Sequence, residues 1–243
     1  MLFVNLEEEA WRREELNIRS VKIEEKEEDI PREYEDFNDW VFNKAVFEKL
    51  LDWSKWDHAI KLIPNATLKD YKVYPLNVKE QEELNKFLEK HLKSGRIRSS
   101  KSPCMASFFF MKKKDGSLQP VQDYRQLNEA TIKNKYPLPL IQELIDKVQG
   151  VKYFTKLDIR WGYNNVRIGE GDEWKVVFQT NRGLFEPLVM YFGMYNSPTT
   201  FQLMMDILFR ELIMSGKIII YMDNILIFTQ TIEEHRSIVQ QVL

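Results

Sequence analysis

The stretches YFTKLDI, residues 153–159, and IIIYMDNILIFT, residues 218–229, decide the fold. Both are rich in apolar and β-branched residues and predict buried strands, and the pair Asp223-Asn224 predicts a turn that makes the second stretch a hairpin. Taken singly, Asp158 and Asp223 are typical of a strand end and a turn. If the strands are neighbours in one sheet, the two carboxylates meet at one edge, and carboxylate oxygens are ligands that Mg²⁺ prefers.

Helices and further strands flank these two stretches. Asn77 and Glu80 form a capping box and Gly95 supplies a C-terminal stop, so a helix is predicted at about 78–94. A basic hairpin, 107–112 with 118–125, turns at residues 114–116. The other predicted elements are helices that open at Pro139, at Ser197-Pro198 and after Thr231, and strands at 163–168, 174–180 and 184–189.

The net charge of −2 conceals a strong asymmetry. Residues 1–40 carry 14 acidic and 6 basic side chains, a charge of −8, which leaves +6 for residues 41–243. Within the latter, residues 85–135 hold 12 Lys and Arg against 4 Asp and Glu, a local +8. The acidic segment predicts a linker or a frayed helix, whereas the basic segment is able to follow a polyanion. An ordinary solvated, lysine-rich surface is the alternative.

The composition excludes several classes of protein. Nine Gly, nine Pro and the single Cys104 exclude collagen, disordered tails and disulfide scaffolds. No apolar run approaches the roughly 18 residues that span a bilayer, and no secretory segment follows Met1. We therefore expect an intracellular protein, cytoplasmic or nuclear, without a membrane partner.

Five motifs resemble, in order and spacing, those of the reverse transcriptases of gypsy-class long-terminal-repeat retrotransposons, most closely the fungal branch. The resemblance runs from about Ile30 to Leu243. The motifs lie at 112–116 with 121–128, at 131–141, at 152–158, at Phe192-Gly193, Asn196, Pro198 and 200–202, and at 221–228.

The resemblance implies an α+β fold, the right-hand fold of polymerases, with an antiparallel sheet and packed helices in fingers and palm. Beside the acidic linker or frayed helix that composition predicts at 1–40, it implies a domain at 41–243, with fingers at about 70–150 and a palm at about 151–243. The family's palm continues into a thumb, so the fold is expected to be truncated before the thumb. Loss of the end of the palm is expected to expose Ile238, Val239 and Val242.

The family's chemistry implies a role for each site residue. In the family, aspartates of the first and third motifs hold two Mg²⁺ ions, for which Mn²⁺ can substitute, and a primer 3′-hydroxyl attacks a deoxynucleoside triphosphate. By resemblance the catalytic positions are Asp158, Asp223 and Asn224, with Asp158 and Asp223 as metal ligands. The implied nucleotide-binding residues are Lys113, Arg125, Tyr163, Phe192 and Gln202, and the implied nucleic-acid-binding residues are Lys112, Lys114, Lys133 and Lys135.

Three positions depart from the family's pattern. Asn224 stands where the family carries a second aspartate, and an amide removes a negative charge from a site for two dications. Gln119 replaces an arginine that binds the triphosphate, so a fork of charged donors is lost. Tyr195 stands where a small residue is usual. We expect weakened metal binding and slower chemistry.

Two functions remain open at this point. The first is an RNA-directed DNA polymerase domain, impaired by Asn224, Gln119 and truncation, whose partners are an RNA or DNA template with its primer, deoxynucleoside triphosphates and the rest of a retrotransposon polyprotein. The alternative is a non-catalytic nucleic-acid-binding remnant that keeps the basic fingers. An RNA-templated RNA polymerase is disfavoured by Tyr163 at the sugar-discriminating position.

Overall fold

The computed structural model describes residues 2–5, 31–39, 41–43, 50–68, 73–140, 144 and 146–243. The chain divides into two compact units. The first unit comprises residues 1–47, 137–160 and 202–243, and the second comprises residues 48–136 and 161–201. Each unit contains its own β-sheet.

The strands of the described residues are β1 (Leu2–Asn5), β2 (Ile97–Ser99), β3 (Ala106–Lys112), β4 (Leu118–Gln122), β5 (Tyr153–Ile159), β6 (Phe178–Thr180), β7 (Gly183–Pro187), β8 (Ile218–Tyr221) and β9 (Asn224–Thr229). Their α-helices are α1 (Val78–Lys93), α2 (Arg125–Ala130), α3 (Ser197–Leu208), α4 (Arg210–Met214) and α5 (Ile232–Val242). Short 3₁₀ helices occupy Arg32–Phe37, Gly162–Asn165 and Glu173–Val176.

The first unit is built on a four-stranded antiparallel sheet in the order β1-β5-β9-β8. The predicted strands at 153–159 and 218–221 are confirmed to the residue. Leu157, Ile225 and Ile227 are completely or almost completely buried, because these apolar side chains lie on neighbouring strands and gain from leaving water. The hairpin predicted around residues 223–224 joins β8 to β9.

Helix α5 packs on this sheet and buries its apolar face. Thr231 caps the helix by accepting a hydrogen bond from the backbone N–H of Glu234. Ile238, Val239 and Val242 are buried, so the expectation that these side chains would be exposed is wrong. The helix contacts β5 and β9, which supply the apolar surface that covers this face.

The second unit contains a five-stranded sheet in the order β2-β7-β6-β3-β4 and helix α1. The predicted helix at about 78–94 is confirmed, with both hydrogen bonds of the capping box between Asn77 and Glu80. Gly95 has a φ of +69°, the left-handed conformation that a helix stop requires. An aromatic core forms where Phe87 of the helix meets Phe108 and Phe178 of the sheet.

Three predicted elements differ from the structure. The strand predicted at 163–168 is wrong, because Trp161 adopts a φ of +53° and turns the chain into the 3₁₀ helix Gly162–Asn165. The strand predicted at 174–180 contains the 3₁₀ helix Glu173–Val176 and is extended only at Phe178–Thr180. The second strand of the basic hairpin ends at Gln122, since Arg125 already begins α2.

Parts of the predicted organisation stay predictions. Ile141 and Ile145, on which the helix opening at Pro139 depends, lie outside the described residues, as do residues 6–30 of the acidic segment. Within that segment Tyr34 is buried, so side-chain packing in the first unit includes residues before 41. The bounds of linker, fingers and palm stay predictions. In the described parts of the chain, no helix combines the length and the apolar character needed to cross a membrane.

Candidate active site

The register of two strands brings the predicted catalytic residues of the first unit together. Strands β5 and β9 pair antiparallel so that Asp158 lies directly opposite Asn224. Side chains of directly opposite residues project from the same face of a sheet. Asp223 immediately precedes Asn224 in the turn, and its carbonyl oxygen accepts a hydrogen bond of 2.8 Å from the backbone N–H of Ile159. The three polar side chains therefore share one edge of the sheet.

The turn that presents Asp223 has an unusual backbone. Only Met222 and Asp223 separate the paired residues Tyr221 and Asn224, so the turn has two residues. Met222 has a φ of +55°, a conformation that non-glycine residues rarely adopt. A two-residue hairpin matches the twist of its strands best when its first central residue has a positive φ. The tight connection thus imposes a strained residue next to the candidate metal ligand.

Gln202 supports this turn from helix α3. Its side chain has no exposed surface. The Oε1 atom accepts a hydrogen bond of 2.8 Å from the backbone N–H of Met222, and Nε2 donates to the carbonyl of Ile220 at 3.1 Å and to Oδ1 of Asp206 at 2.8 Å. The amide thereby spans the hairpin just before Asp223. The observed role of Gln202 is to hold the turn, and its predicted role toward a nucleotide stays a prediction.

Two further contacts set the charge at this edge. Nζ of Lys156 lies 3.1 Å from Oδ1 of Asp158, and both side chains are about half exposed. Nδ2 of Asn224 donates a hydrogen bond of 3.0 Å to Oδ1 of Asp223. A lysine ammonium and an amide donor thus point at the two carboxylates. Both contacts offset negative charge at this edge.

The oxygen ligands at this edge fit a hard divalent cation, although the protein supplies only a few of them. Two carboxylates and one amide oxygen come from Asp158, Asp223 and Asn224. Among the described residues no group of three or more His, Cys, Asp or Glu could hold a metal ion. Mg²⁺ commonly binds through only one or two carboxylates and completes its shell with waters and substrate phosphates. The edge therefore suits a cation that arrives with a phosphate ligand.

The predicted basic residues of the hairpin lie in the second unit. Lys112, Lys113 and Lys114 are exposed at the turn between β3 and β4. The turn is confirmed, because the N–H of Gly116 donates to the carbonyl of Lys113 at 3.0 Å and Asp115 accepts from the N–H of Ser117. The structure presents these three ammonium groups to solvent, where they can meet an anion.

Arg125 makes a bidentate ion pair. Its Nε and Nη2 atoms donate to the two carboxylate oxygens of Asp123 at 2.9 and 2.6 Å. The hydrogen bonds from Arg125 hold the pKa of Asp123 below its ordinary value, although burial opposes that shift. The Arg125 side chain is 79% exposed, so its guanidinium remains accessible beyond the pair. A fixed guanidinium of this kind is suited to bind phosphate.

Tyr163 and Phe192 form an aromatic pair in the second unit. Their ring centroids are 5.0 Å apart, and Tyr163 also packs edge-on against Phe201 at 5.4 Å. Tyr163 is buried whereas Phe192 is 60% exposed. Two residues before Tyr163, the ring of Trp161 stacks on His91. Nζ of Lys90 lies 4.1 Å from the centroid of the Trp161 ring. Aromatic packing therefore holds both Trp161 and Tyr163 in place.

In the first unit, sequence reasoning missed Lys156 and did not predict that Gln202 holds the turn. Lys156 was not predicted to act here, although a residue two positions before Asp158 on a strand lies on the same face. The support of the turn by Gln202 has no sequence signal of its own, since its partners Ile220 and Met222 are about 20 residues away in the chain. Lys133 and Lys135, predicted to bind nucleic acid, are exposed in the second unit.

Solved structures with the same fold include two forms of a foamy virus enzyme. Prototype foamy virus protease-reverse transcriptase, as its CSH mutant, gives a TM-score of 0.67 with 21% identity over 76% of this chain and 24% of that chain. The foamy viral protease-reverse transcriptase dRH in complex with double-stranded DNA gives a TM-score of 0.64 with 21% identity, over 76% of this chain and 32% of that chain. The predicted α+β fold of a polymerase is confirmed by these likenesses.

Sequence comparisons give the family. The transposon Tf2-7, Tf2-8 and Tf2-3 polyproteins of Schizosaccharomyces pombe are each 36% identical to this chain over 222 residues, or 90% of its length. The chain spans 16% of the length of these polyproteins. The resemblance to the fungal branch of gypsy-class retrotransposons is thereby confirmed. The family described as reverse transcriptase (RNA-dependent DNA polymerase) matches residues 111–243, and this chain belongs to it.

Proposed function

We propose that this chain is the catalytic part of an RNA-directed DNA polymerase that adds deoxynucleotides to a primer, with a metal site weakened by Asn224. The observation that carries the proposal is the pairing of Asp158 with Asn224 across β5 and β9, with Asp223 in the adjoining turn. This register puts two carboxylates at one sheet edge. Such an edge is suited to the positioning and charge stabilisation on which phosphoryl transfer depends.

Each residue of the first unit has a defined task in this proposal. Asp158 and Asp223 would hold two Mg²⁺ or Mn²⁺ ions, which when bound activate the attacking primer hydroxyl and stabilise the leaving pyrophosphate. Asn224 orients the Asp223 carboxylate through its amide hydrogen bond but adds no negative charge. Gln202 holds the turn, so that the Asp223 backbone keeps one position. Lys156 offsets the negative charge of Asp158.

The second unit contributes nucleotide and nucleic-acid binding in this proposal. Lys113 and Arg125 bind triphosphate oxygens, Tyr163 excludes a ribose 2′-hydroxyl, and Phe192 lines the nucleotide site. Lys112, Lys114, Lys133 and Lys135 bind the phosphates of a template and primer without reading sequence. Support comes from the exposure of the lysines and from the fixed guanidinium of Arg125. The rest of a retrotransposon polyprotein is a further partner.

Primer extension on an RNA template tests the proposal. With Mg²⁺ or Mn²⁺ the chain is expected to give a slow extension product that disappears in Asp158→Ala and grows in Asn224→Asp. Glu89→Ala, which removes an exposed carboxylate of α1, serves as the matched control and leaves the product unchanged. If neither the natural chain nor Asn224→Asp gives any product, the polymerase proposal fails for this chain.

The second candidate function is nucleic-acid binding without catalysis. Asn224 favours it, because its amide fills a position that needs a carboxylate for full metal binding. Manganese binding followed by electron paramagnetic resonance separates the two functions. Binding of Mn²⁺ that is lost in Asp158→Ala favours the polymerase, whereas tight binding of nucleic acid by a chain that takes up no Mn²⁺ favours the alternative.

A further inference from the structure

Tyr195, an exposed tyrosine that has no role in the proposed function, lies in the second unit beneath Lys133, one of the lysines proposed to bind nucleic-acid phosphates. Nζ of Lys133 is 4.4 Å from the centroid of the Tyr195 ring. Tyr195 is 52% exposed, and Lys133 is exposed as well. We propose that Tyr195 and Lys133 form a stacking site for a base of single-stranded nucleic acid, with the ring taking the base and the ammonium the adjacent phosphate.

The site is built by Asn128, which fixes both partners. Its Oδ1 accepts a hydrogen bond of 2.8 Å from the backbone N–H of Tyr195, and its Nδ2 donates to the carbonyl of Gly193 at 2.7 Å. The backbone carbonyl of Asn128 accepts from Nζ of Lys133. One residue thus sets the position of the loop and of the ammonium. Prior ordering of this kind reduces the entropy lost when a ligand binds.

A second amide ties the same two loops together. Nδ2 of Asn196 donates to the carbonyl of Ile132 at 2.8 Å, and its Oδ1 accepts from the backbone N–H of Asn134 at 3.0 Å. These bonds flank the pair on both sides, so Lys133 and Tyr195 belong to one cross-linked pair of loops. The Tyr195 ring is thus held in place with about half of its surface in water, where a base can stack on it.

The charge of Lys133 distinguishes it from another lysine beside an exposed aromatic ring. Lys175 lies 5.8 Å from the ring of Trp174, but its ammonium forms an ion pair with Asp172 and donates to the carbonyl of Ile60. Nζ of Lys133 instead donates to the neutral backbone carbonyl of Asn128, which leaves its positive charge able to attract a phosphate. A base stacked on an aromatic ring beside a cation is how proteins bind single strands without reading sequence.

The site deepens the nucleic-acid binding in the proposed function, yet its test needs neither metal nor nucleotide. Fluorescence anisotropy in EDTA compares labelled single strands of about 12 nucleotides, a size that such sites accommodate. The probes are oligothymidylate, oligouridylate and an abasic strand with the same number of phosphates. The chain is expected to bind both base-containing strands more tightly than the abasic one. Failure of primer extension leaves this result unaffected.

Substitutions separate stacking from charge. Tyr195→Ala and Tyr195→Leu are expected to weaken binding of the base-containing strands about tenfold with little effect on the abasic strand, whereas Tyr195→Phe retains the preference for bases. Lys133→Gln weakens binding of all three strands and lowers the salt dependence by about one counterion. Trp174→Ala, at the exposed ring beside Lys175, is the control and is expected to bind as the natural chain does.

The proposal is overturned if the natural chain binds the abasic strand as tightly as the others, or if neither Tyr195→Ala nor Tyr195→Leu reduces the preference for bases. Circular dichroism of each variant confirms that the second unit is folded. Since Tyr195 is about half exposed, its replacement leaves no buried cavity. Equal affinity for the DNA probe oligothymidylate and the RNA probe oligouridylate shows that the site does not distinguish strands by the 2′-hydroxyl. A higher affinity for one of them identifies the single strand that the site prefers.

Discussion

The Oε1 atom of Gln202 accepts the backbone N–H of Met222 at 2.8 Å, and through this bond a buried side chain of α3 holds the turn that carries Asp223. The same amide donates to the carbonyl of Ile220 at 3.1 Å. The Gln202 side chain makes hydrogen bonds to two backbone groups just before Asp223, the candidate metal ligand. The geometry of the candidate metal site therefore depends on a residue that has no exposed surface.

Replacing Gln202 by Leu is expected to lower the free energy of unfolding by about 2–4 kcal/mol. The apolar side chain removes the hydrogen bonds that Gln202 makes to the N–H of Met222 and to the carbonyl of Ile220, and removing one partner of a buried hydrogen bond costs about 1–3 kcal/mol. Urea denaturation measures the loss. Gln241→Leu, at an exposed glutamine of α5, is the matched control and stays within about 0.5 kcal/mol. Equal stability of the two variants would contradict the role of Gln202.

Substitutions at Met222 are expected to follow the tolerance of each residue for a positive φ. Met222→Asn and Met222→Gly keep the turn, because both residues adopt the left-handed conformation readily, and their stabilities stay within about 1 kcal/mol of the natural chain. Met222→Val, with a β-branched side chain, is expected to cost at least about 1 kcal/mol more. Thermal denaturation of the three variants gives the order. A Val variant as stable as the Asn variant would exclude strain at this turn.

Asn224→Asp is expected to increase affinity for Mn²⁺ and to lower the stability of the metal-free chain. The new carboxylate adds a charge beside Asp158 and Asp223 and should raise metal affinity about tenfold or more. Without metal it replaces a hydrogen bond of 3.0 Å by repulsion, which costs about 1 kcal/mol. Titration calorimetry and denaturation with and without Mn²⁺ measure both effects. The control Asn85→Asp, on the exposed face of α1, should change neither the affinity for Mn²⁺ nor the stability. If Asn224→Asp lowers the stability but does not change the affinity for Mn²⁺, the result argues against a metal site.

Acid is expected to destabilise the second unit through His91. Burial, with Lys90 and Arg96 nearby, lowers the pKa of His91 to about 4, from about 6.5 in an unfolded chain. Between these two values the unfolded state binds more protons, so stability is full above pH 6.5 and falls as the pH drops toward 4. The loss due to His91 is about 2 kcal/mol between pH 6.5 and 5.

Denaturation of the natural chain and of His91→Gln at both pH values checks this expectation. The variant removes the titrating group but retains a hydrogen-bonding side chain near Tyr191, whose hydroxyl lies 2.9 Å from Nδ1 of His91. Its pH dependence should be shallower, although His58 and His235, whose pKa values burial also lowers, still contribute. Parallel curves for the two proteins would show that His91 does not titrate in this range.

The sequence by itself determined two strands of the first unit, the capped helix and the family. Apolar patterning and local capping predict the elements Tyr153–Ile159, Ile218–Tyr221 and Val78–Lys93. Both signals depend only on residues that are near one another in the sequence. It also indicated Asp158 and Asp223, because isolated carboxylates at the ends of apolar strands stand out. Local rules failed at 163–168, where the left-handed Trp161 diverts residues of strand-like composition into a 3₁₀ helix.

Only the tertiary structure decided which partners these residues have. The pairing of Asp158 with Asn224, the contact of Lys156 with Asp158 and the burial of Gln202 each depend on strand register or on helix packing. Residues about 65 positions apart in the chain, Asn128 and Tyr195, likewise meet only when two loops fold together. Contacts of this range are set by the simultaneous burial of the whole core, a condition that no short stretch of sequence contains.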